Sequence, residues 1–460
     1  MQRVDVAIVG GGPAGSSAAR AAATAGADAV VLEKGVPRDD RDQLGPDSTD
    51  AAGFLDYWVD VADLDVSELP DGVVLRVLDG ADFVGPNEAV SIDRTGMDAS
   101  YDHFGFTFHR ARMDDFLRDR AEAAGAEYRV GTSVSSVDTD LTGSPEHTLT
   151  MADGTELVAD HLVLADGPQR RITMPVLDEY LPEGRKASEV LDPRTANHIA
   201  YQEYREFPEE VFDPSRIVFW WGWLPGTTAY PWVFPNEDTV ARVGLTMPIG
   251  MDIDAVRDRE DYRLLRDTDD RIPAGGVYVD RLLEELYGDE YDIEEDFPIV
   301  EAGHGKREGT ETYPISSTTP IDSPTEANIA VVGGAMGTTS AFHEGGDHVA
   351  MRTGKIAGRL AATDSLDRYN DAWKGAIGAE VRRNVAMADM VADYRPRDWD
   401  AAIRVARTML EARENGSLIG FSNAATSLRG LLLYSRYRWR KYGLRGDRCA
   451  QIRESEYALR

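Results

Sequence analysis

The stretch that most constrains this chain runs from Val4 to Glu33. Val4, Val6, Ile8 and Val9 predict a short buried strand. Gly10-Gly11-Gly12-Pro13-Ala14-Gly15 follows at once, and the small-residue run from Ser16 to Ala25 reads as a helix. Gly26 stops that helix, Ala29–Leu32 makes a second strand, and Glu33 ends it. Strand, Gly-x-Gly-x-x-Gly, helix, strand and acid together form the dinucleotide fingerprint in its required context. Gly10 allows the tight turn, Gly12 lets the backbone approach a pyrophosphate, and Gly15 lets helix and strand pack closely. The free N–H groups and positive dipole end of the helix face the phosphates. Glu33 is placed to accept hydrogen bonds from a ribose, and an acid there disfavours the 2′-phosphate of NADP. A fingerprint at the extreme N-terminus fits FAD better than NAD, although the motif alone does not separate them.

Composition narrows what surrounds this site. A chain of 460 residues has room for two or three domains, and a hydrophobic content of 42% supports a sizeable core. The 81 acidic residues against 49 basic ones give a net charge of −32. Only six of the basic residues are lysine: Lys34, Lys186, Lys306, Lys355, Lys374 and Lys441. Such acid-rich, lysine-poor surfaces look like those of proteins from salt-saturated cytoplasm, a haloarchaeal setting, where a Debye length of about 3 Å at molar salt screens self-repulsion. No broad basic face is available for nucleic acid. The single cysteine, Cys449, excludes a disulfide framework, a four-cysteine zinc site and a cysteine-ligated iron–sulfur cluster. The acids between Asp258 and Glu295 read as a solvated face, so no metal site is expected. With the first strand starting by Val4 no signal peptide is expected, and no apolar run approaches a membrane span. A cytoplasmic protein, at most lying on the inner membrane face, is expected.

Taken in order, Ala51 to Asp63 reads as a helix, and Val73–Val77 and Ala89–Ile92 as strands. Phe106 to Arg110 leads into a helix from Ala111 to Gly125, with Met113, Phe116, Leu117 and Ala121 on one face. Tyr128–Val130 and Thr132–Val137 read as strands, and His147–Met151 is expected to pair with Glu156–Val158 across Asp153-Gly154. Leu162–Ala165 is a buried strand closed by Asp166-Gly167-Pro168. From Val176 the aromatics crowd together. Ile217–Trp223, Ala229–Pro235 and Thr239–Met247 predict an antiparallel sheet inserted between nucleotide-binding segments. Arg257 to Tyr287 reads as an acidic helix. Asn328–Val332 is another buried strand, ending in Gly333-Gly334-Ala335-Met336-Gly337, with a helix from Asp347 to Ala362 and mostly helical sequence from Asp364 to Leu428.

Three of these segments together resemble the FAD-dependent fold of p-hydroxybenzoate hydroxylase: the fingerprint, Asp166-Gly167 after a strand, and the strand followed by Gly-Gly-Ala-x-Gly. The resemblance implies FAD as cofactor and a discontinuous Rossmann-type α/β domain over residues 1–60, 95–175 and 325–365. It implies a substrate-binding sheet over 61–94 and 176–324, and a helical region over 366–460. Cofactor contacts are then expected from Gly10, Gly12, Pro13, Ala14, Gly15, Glu33 and Lys34, from Arg110 ahead of its helix, and from Asp166 and Gly167. Gly333, Gly334, Ala335, Gly337, Gly345 and Gly346 complete that set. Where the family reads Gly-Asp-Ala, with the Asp on the ribityl chain, this chain has Gly333-Gly334-Ala335, which removes a charge-assisted hydrogen bond.

Within that fold, Tyr230-Pro231-Trp232-Val233-Phe234-Pro235 followed by Gly244 resembles the Tyr-x-Trp-x-Phe-Pro signature of geranylgeranyl reductases. Residues two apart on a strand share a face, so Tyr230, Trp232 and Phe234 are expected to form one aromatic wall, with Trp220, Trp221 and Trp223 across the turn. Such a wall suits a long apolar chain, at about 0.8 kcal/mol per buried CH₂; a plain sheet core is the competing account. The signature ends Gly244-Leu245-Thr246 instead of Gly-x-Gly, and Leu44-Gly45 stands where many members carry Cys-Gly. The resemblance implies FAD-dependent saturation of double bonds in geranylgeranyl chains of archaeal ether lipids or related prenyl compounds. His343 is the candidate proton donor, against a structural histidine. A flavin monooxygenase or halogenase and a flavoprotein that binds prenyl lipid without turnover remain open alternatives. The lack of a second fingerprint favours a ferredoxin-like or other protein electron donor, but enzymes of the p-hydroxybenzoate hydroxylase type bind NAD(P)H without one, so both donors stay open. Residues 428–448, which alternate aromatic rings with bases, are expected either to lie on a membrane surface or to dock as a terminal helix.

Overall fold

The computed structural model of the protein describes residues 2–37, 53–192, 196–301, 308–317, 319–414, 424–444 and 449–458. Leu44-Gly45 lies outside these residues. The hydrophobic run of the fingerprint becomes the centre of a sheet buried on both faces, which is why its strands are nearly all apolar. Strand Gln2–Val9 pairs in parallel with Ala29–Leu32 on one side and with Glu156–Leu164 on the other. Glu127–Arg129 extends the sheet beyond Ala29–Leu32. The long strand Glu156–Leu164 divides its far edge. Its first half takes the antiparallel hairpin strand Glu146–Met151, and Leu162–Leu164 pairs in parallel with Ile329–Val331. The hairpin turns where Gly154 adopts φ +83°. Val6, Ile8, Val30, Val31, Leu162 and Val163 are all fully buried, each contributing about 1.5–3 kcal/mol relative to exposure.

A second, seven-stranded sheet runs in the order Thr310–Ile315, His198–Glu206, Val240–Pro248, Tyr230–Pro235, Arg216–Trp220, Gly80–Val84 and Ala89–Ile92. Helix Gly275–Tyr287 covers one face through Tyr278, Val279, Leu282 and Leu283, packed with Trp220 and Trp223. The other face carries Trp221, Tyr230, Trp232 and Phe234. A small third sheet sets Gly105–Phe108 between Gly53–Leu55 and Val74–Leu78. The C-terminal part is built from helices Tyr369–Val391, Pro396–Glu414 and Ala424–Gly443. After them the chain returns to the first sheet. Cys449 and Ile452 are buried in its core, and Ala458 N donates to Tyr180 O at 2.6 Å.

Several elements differ from the sequence reading for identifiable reasons. The helix expected over Arg257–Tyr287 begins only at Gly275, just after Pro273-Ala274. Upstream, acids bond to nearby backbone N–H groups instead: Asp252 accepts from Asp254 N and Asp269 from Arg266 N, the competition that disfavours helix for such residues. The helix expected over Ala51–Asp63 is reduced to Asp56–Val61, because Gly53–Leu55 is drawn into pairing with Gly105–Phe108. The sheet expected to be antiparallel contains one parallel pair, Arg216–Trp220 with Gly80–Val84, two strands that no hairpin connects. The three tryptophans do not share a wall: the strand ends at Trp220 and the chain bends after it, which returns Trp223 to the side of Trp220. Only Trp221 joins Tyr230.

Candidate active site

The glycine loop is shaped by backbone contacts on two of its three fingerprint positions and is open at the third. Gly10 has φ +100°, and a Cβ there would lie 2.4 Å from Ala165 O. A Cβ on Gly15 would lie 1.9 Å from Gly10 O, so only glycine lets helix Pro13–Thr24 press on the strand. At Gly12 a Cβ would meet nothing within 4 Å. Gly12 is the N-cap of that helix and supplies no side-chain cap, leaving the first-turn N–H groups for an anion. The Glu33 carboxylate sits at the mouth of the loop, accepting from Gly11 N at 2.5 Å and Gly35 N at 2.6 Å. Pro13 and Ala14 are buried in the first turn, whereas Lys34 is exposed.

The other two nucleotide-type segments meet this loop. A Cβ on Gly333, which has φ +58°, would lie 2.8 Å from Ala14 Cβ, and one on Gly334 would lie 3.1 Å from Pro168 Cδ. Asp166 accepts from Ile172 N at 2.7 Å and Thr173 N at 3.1 Å, holding the start of helix Thr173–Tyr180. Gly333–Met336 forms a single helical turn closed by Gly337 at φ +86°. Gly346 is the N-cap of helix Asp347–Ala361. Arg110 bridges two helix starts, with Nε 2.9 Å from Asp114 Oδ1 and Nη1 3.3 Å from Asp347 Oδ1. A glycine cradle open to an anion, an acid at its mouth and an arginine between two helix starts fit a flavin dinucleotide. Among the described residues no group of three or more His, Cys, Asp or Glu is placed to hold a metal ion.

The aromatic residues stand beside this cradle. Tyr230 Oη donates to His343 O at 2.8 Å, tying the wall to the loop that precedes helix Asp347–Ala361. Trp232 and Phe234 stack with centroids 5.8 Å apart and planes at 17°. Trp221 lies 4.4 Å from Tyr230 and stacks on Phe342 at 5.3 Å. Gly244 lies opposite Trp232 in the ladder, and a Cβ there would lie 2.8 Å from the indole, so the ring packs against bare backbone. Pro235 O accepts from Thr107 Oγ1 at 2.7 Å, fixing the end of the strand.

His343 lies 6.3 Å from Trp58, whose ring stacks on His348 at 4.1 Å. Burial, with His348 nearby, lowers the His343 pKa to about 4. The ring is therefore neutral near pH 7, the opposite of what an imidazolium acid requires. Its neighbour Glu344, which no sequence motif singles out, shows the reverse. The carboxyl side chain is 3% exposed, and burial raises its pKa. Thr246 Oγ1 donates to Oε2, Thr228 Oγ1 lies 3.3 Å from Oε1, and His198 Nε2 lies 3.5 Å from Oε1. An acid inside a glycine-rich stretch was the available signal; its three partners come from distant segments.

Known proteins bear on this arrangement. Residues 3–40 match the family described as FAD binding domain. Digeranylgeranylglycerophospholipid reductase 3 of Methanosphaera stadtmanae is 24% identical over 415 residues, covering 88% of this chain and 90% of that protein. A geranylgeranyl bacteriochlorophyll reductase-like protein from Thermoplasma acidophilum shares the fold with a TM-score of 0.67 at 19% identity, over 96% of this chain and 99% of that one. The myxobacterial chondrochloren halogenase, an FAD-dependent halogenase, aligns with a TM-score of 0.58 at 18% identity, over 98% and 100% of the two chains.

Proposed function

We propose that this FAD-dependent oxidoreductase, homologous to the digeranylgeranylglycerophospholipid reductases, saturates carbon–carbon double bonds in geranylgeranyl chains of ether lipids or related prenyl compounds. The observation that carries the reading is the aromatic wall of Tyr230, Trp232 and Phe234, tied through Tyr230 Oη to the loop at the cofactor cradle. Bound FAD supplies the hydride when reduced. The residues of this chain do the rest. Gly12 and the first turn of helix Pro13–Thr24 take the pyrophosphate, and Glu33 takes the ribose. Arg110 and the start of helix Asp347–Ala361 would hold the remainder of the cofactor. The wall excludes water and aligns an isoprenoid chain whose alkene has no polar handle of its own.

Access to a lipid is the role we assign to helix Ala424–Gly443. Leu432, Tyr434, Trp439 and Tyr442 are exposed on it, Trp439 by 79%. Arg436, Arg438, Arg440 and Lys441 lie among them, which suits rings at headgroup depth and cations on anionic lipid. Among the described residues no helix is long and apolar enough to cross a membrane.

The test is anaerobic photoreduction of the flavin-loaded protein with a geranylgeranyl ether lipid, followed by mass spectrometry. A gain of two hydrogens per double bond supports the reading. An oxygen-dependent product supports a monooxygenase or halogenase, the second reading, which the shared fold of the halogenase motivates. A fully flavin-loaded protein that yields no product supports a lipid-binding flavoprotein without turnover.

A further inference from the structure

Saturating an alkene consumes a proton as well as a hydride, and His343 is held neutral. The buried corner at the end of the aromatic wall offers another source. Thr246 pairs directly with Tyr230 across one ladder and with Ala200 across the next. Directly opposed residues point the same way, so Tyr230 and Trp232 share one sheet face with Thr246, His198 and Ala200. Glu344 enters this face from the loop beside the cofactor cradle. Its carboxyl is thus enclosed by Thr246 of strand Val240–Pro248, Thr228 of the turn before Tyr230, and His198 of strand His198–Glu206. Tyr230 stands next along the strand and His343 next in the loop. Among the described residues His198 is the one basic side chain at ion-pair distance from the group.

Two further observations point to selection for this side chain. Glu344 has φ +57°, a left-handed conformation in a stretch where glycines follow at 345 and 346. Such a conformation is strained for a side-chain-bearing residue and is retained at functional positions. The second is the orientation of His198. Nε2 lies 3.0 Å from Thr227 O, and a carbonyl only accepts, so Nε2 carries the hydrogen. Glu344 Oε1 lies 3.5 Å from the same nitrogen, and Nδ1 lies 3.5 Å from Ser317 Oγ. Ser317, His198 and Glu344 thus follow one another at close range.

We propose that Glu344 is the proton source for the reduction and that His198 reloads it; the inference rests on the prenyl-reductase reading above. One alkene carbon takes hydride from reduced flavin, the two-electron donor, and the other takes the Glu344 carboxyl proton. The π bond breaks and two C–H bonds form. The Glu344 carboxylate then regains a proton from His198 Nε2, while Nδ1 takes one from the Ser317 side. Burial holds the carboxyl protonated to higher pH than an ordinary glutamate.

The experiment uses the full-length, FAD-loaded protein and three variants, Glu344→Gln, Glu344→Gly and His198→Asn. Glycine accepts the left-handed backbone and removes the carboxyl, so a failure of the glutamine variant to fold leaves the test intact. The first readout needs no turnover: infrared difference spectra of the native protein against each Glu344 variant, followed through a pH titration, should show a carboxyl band that persists to higher pH than that of an ordinary glutamate. The second is reoxidation of the photoreduced protein by a geranylgeranyl ether lipid. Both Glu344 variants should slow it on the order of 100-fold or more and lose the alkaline limb of its pH profile. Flavin content and reduction by dithionite should stay within about twofold, the change expected of a group that acts only on the lipid step. His198→Asn should retain a single fast turnover and slow those that follow. The absence of that persisting band in the native protein, or native-like reoxidation with an unchanged pH profile in Glu344→Gly, overturns the proposal alone. A native protein that the lipid does not reoxidise overturns the prenyl-reductase reading and the proposal with it.

Discussion

Replacing Gly12 with alanine separates a cofactor cradle from a merely structural glycine turn. Gly12 has φ −69° and ψ −173°, which alanine adopts without strain. Its Cβ would meet no atom of the protein within 4 Å. The protein without cofactor should therefore keep its stability or gain up to about 0.4–1 kcal/mol, because alanine restricts the unfolded chain. Cofactor binding should suffer, since the methyl group fills the space through which the pyrophosphate approaches the N–H groups. Hydrogen bonds to a charged acceptor are worth about 1.5–3 kcal/mol, so losing one weakens binding by roughly ten- to a hundredfold at 1.4 kcal/mol per decade. Gly15→Ala is the opposite control: its Cβ would lie 1.9 Å from Gly10 O, so it should destabilise the cofactor-free protein outright. The assay is fluorescence titration of FAD into stripped protein in high salt, with thermal melts of the same samples. Wild-type FAD affinity in a folded Gly12→Ala protein would refute the assignment of this loop to the pyrophosphate.

Three further outcomes are expected. Gly334→Asp should tighten FAD binding by restoring a carboxylate towards the ribityl chain, with Pro168, 3.1 Å from the new Cβ, giving way by a few tenths of an ångström; a weaker complex in the same titration shows that this segment does not meet the ribityl chain. Trp232→Ala removes a ring that is 4% exposed, so it should lose about 3–5 kcal/mol of stability to urea and raise the apparent KM for prenyl lipid with flavin content unchanged. An unchanged KM in the folded variant makes the ring core and nothing more. Leu432→Ser, Trp439→Ser and Tyr442→Ser together, which leave the buried Cys449 and Ile452 in place, should abolish flotation of the protein with anionic archaeal-type liposomes in high salt, where screening leaves the exposed apolar groups to do most of the holding. Equal flotation of the folded triple variant removes the membrane role.

The division between what sequence alone determined and what needed the fold follows the range of the forces involved. The fingerprint was legible because its constraints are local: Gly10 and Gly15 answer to backbone atoms within a few residues or on the adjacent strand, and no other residue type fits there. The hairpin over Glu146–Leu164 was legible for the same reason, through Asp153-Gly154. Period-two alternation identified Tyr230, Trp232 and Phe234 as one face. The bend after Trp220, which alternation does not register, sets Trp223 beside Trp220 and leaves Trp221 with Tyr230. Tertiary structure decided what local preference left balanced. Gly53–Leu55 became a strand because a partner edge was available, and the acids before Gly275 formed turns because their side chains captured local N–H groups. It alone decided the polar corner, where His198, Thr228, Thr246 and Glu344 come from four separate segments. A buried carboxyl is recognisable only by what surrounds it, and those surroundings exist only once the sheet and the cofactor loop have packed together.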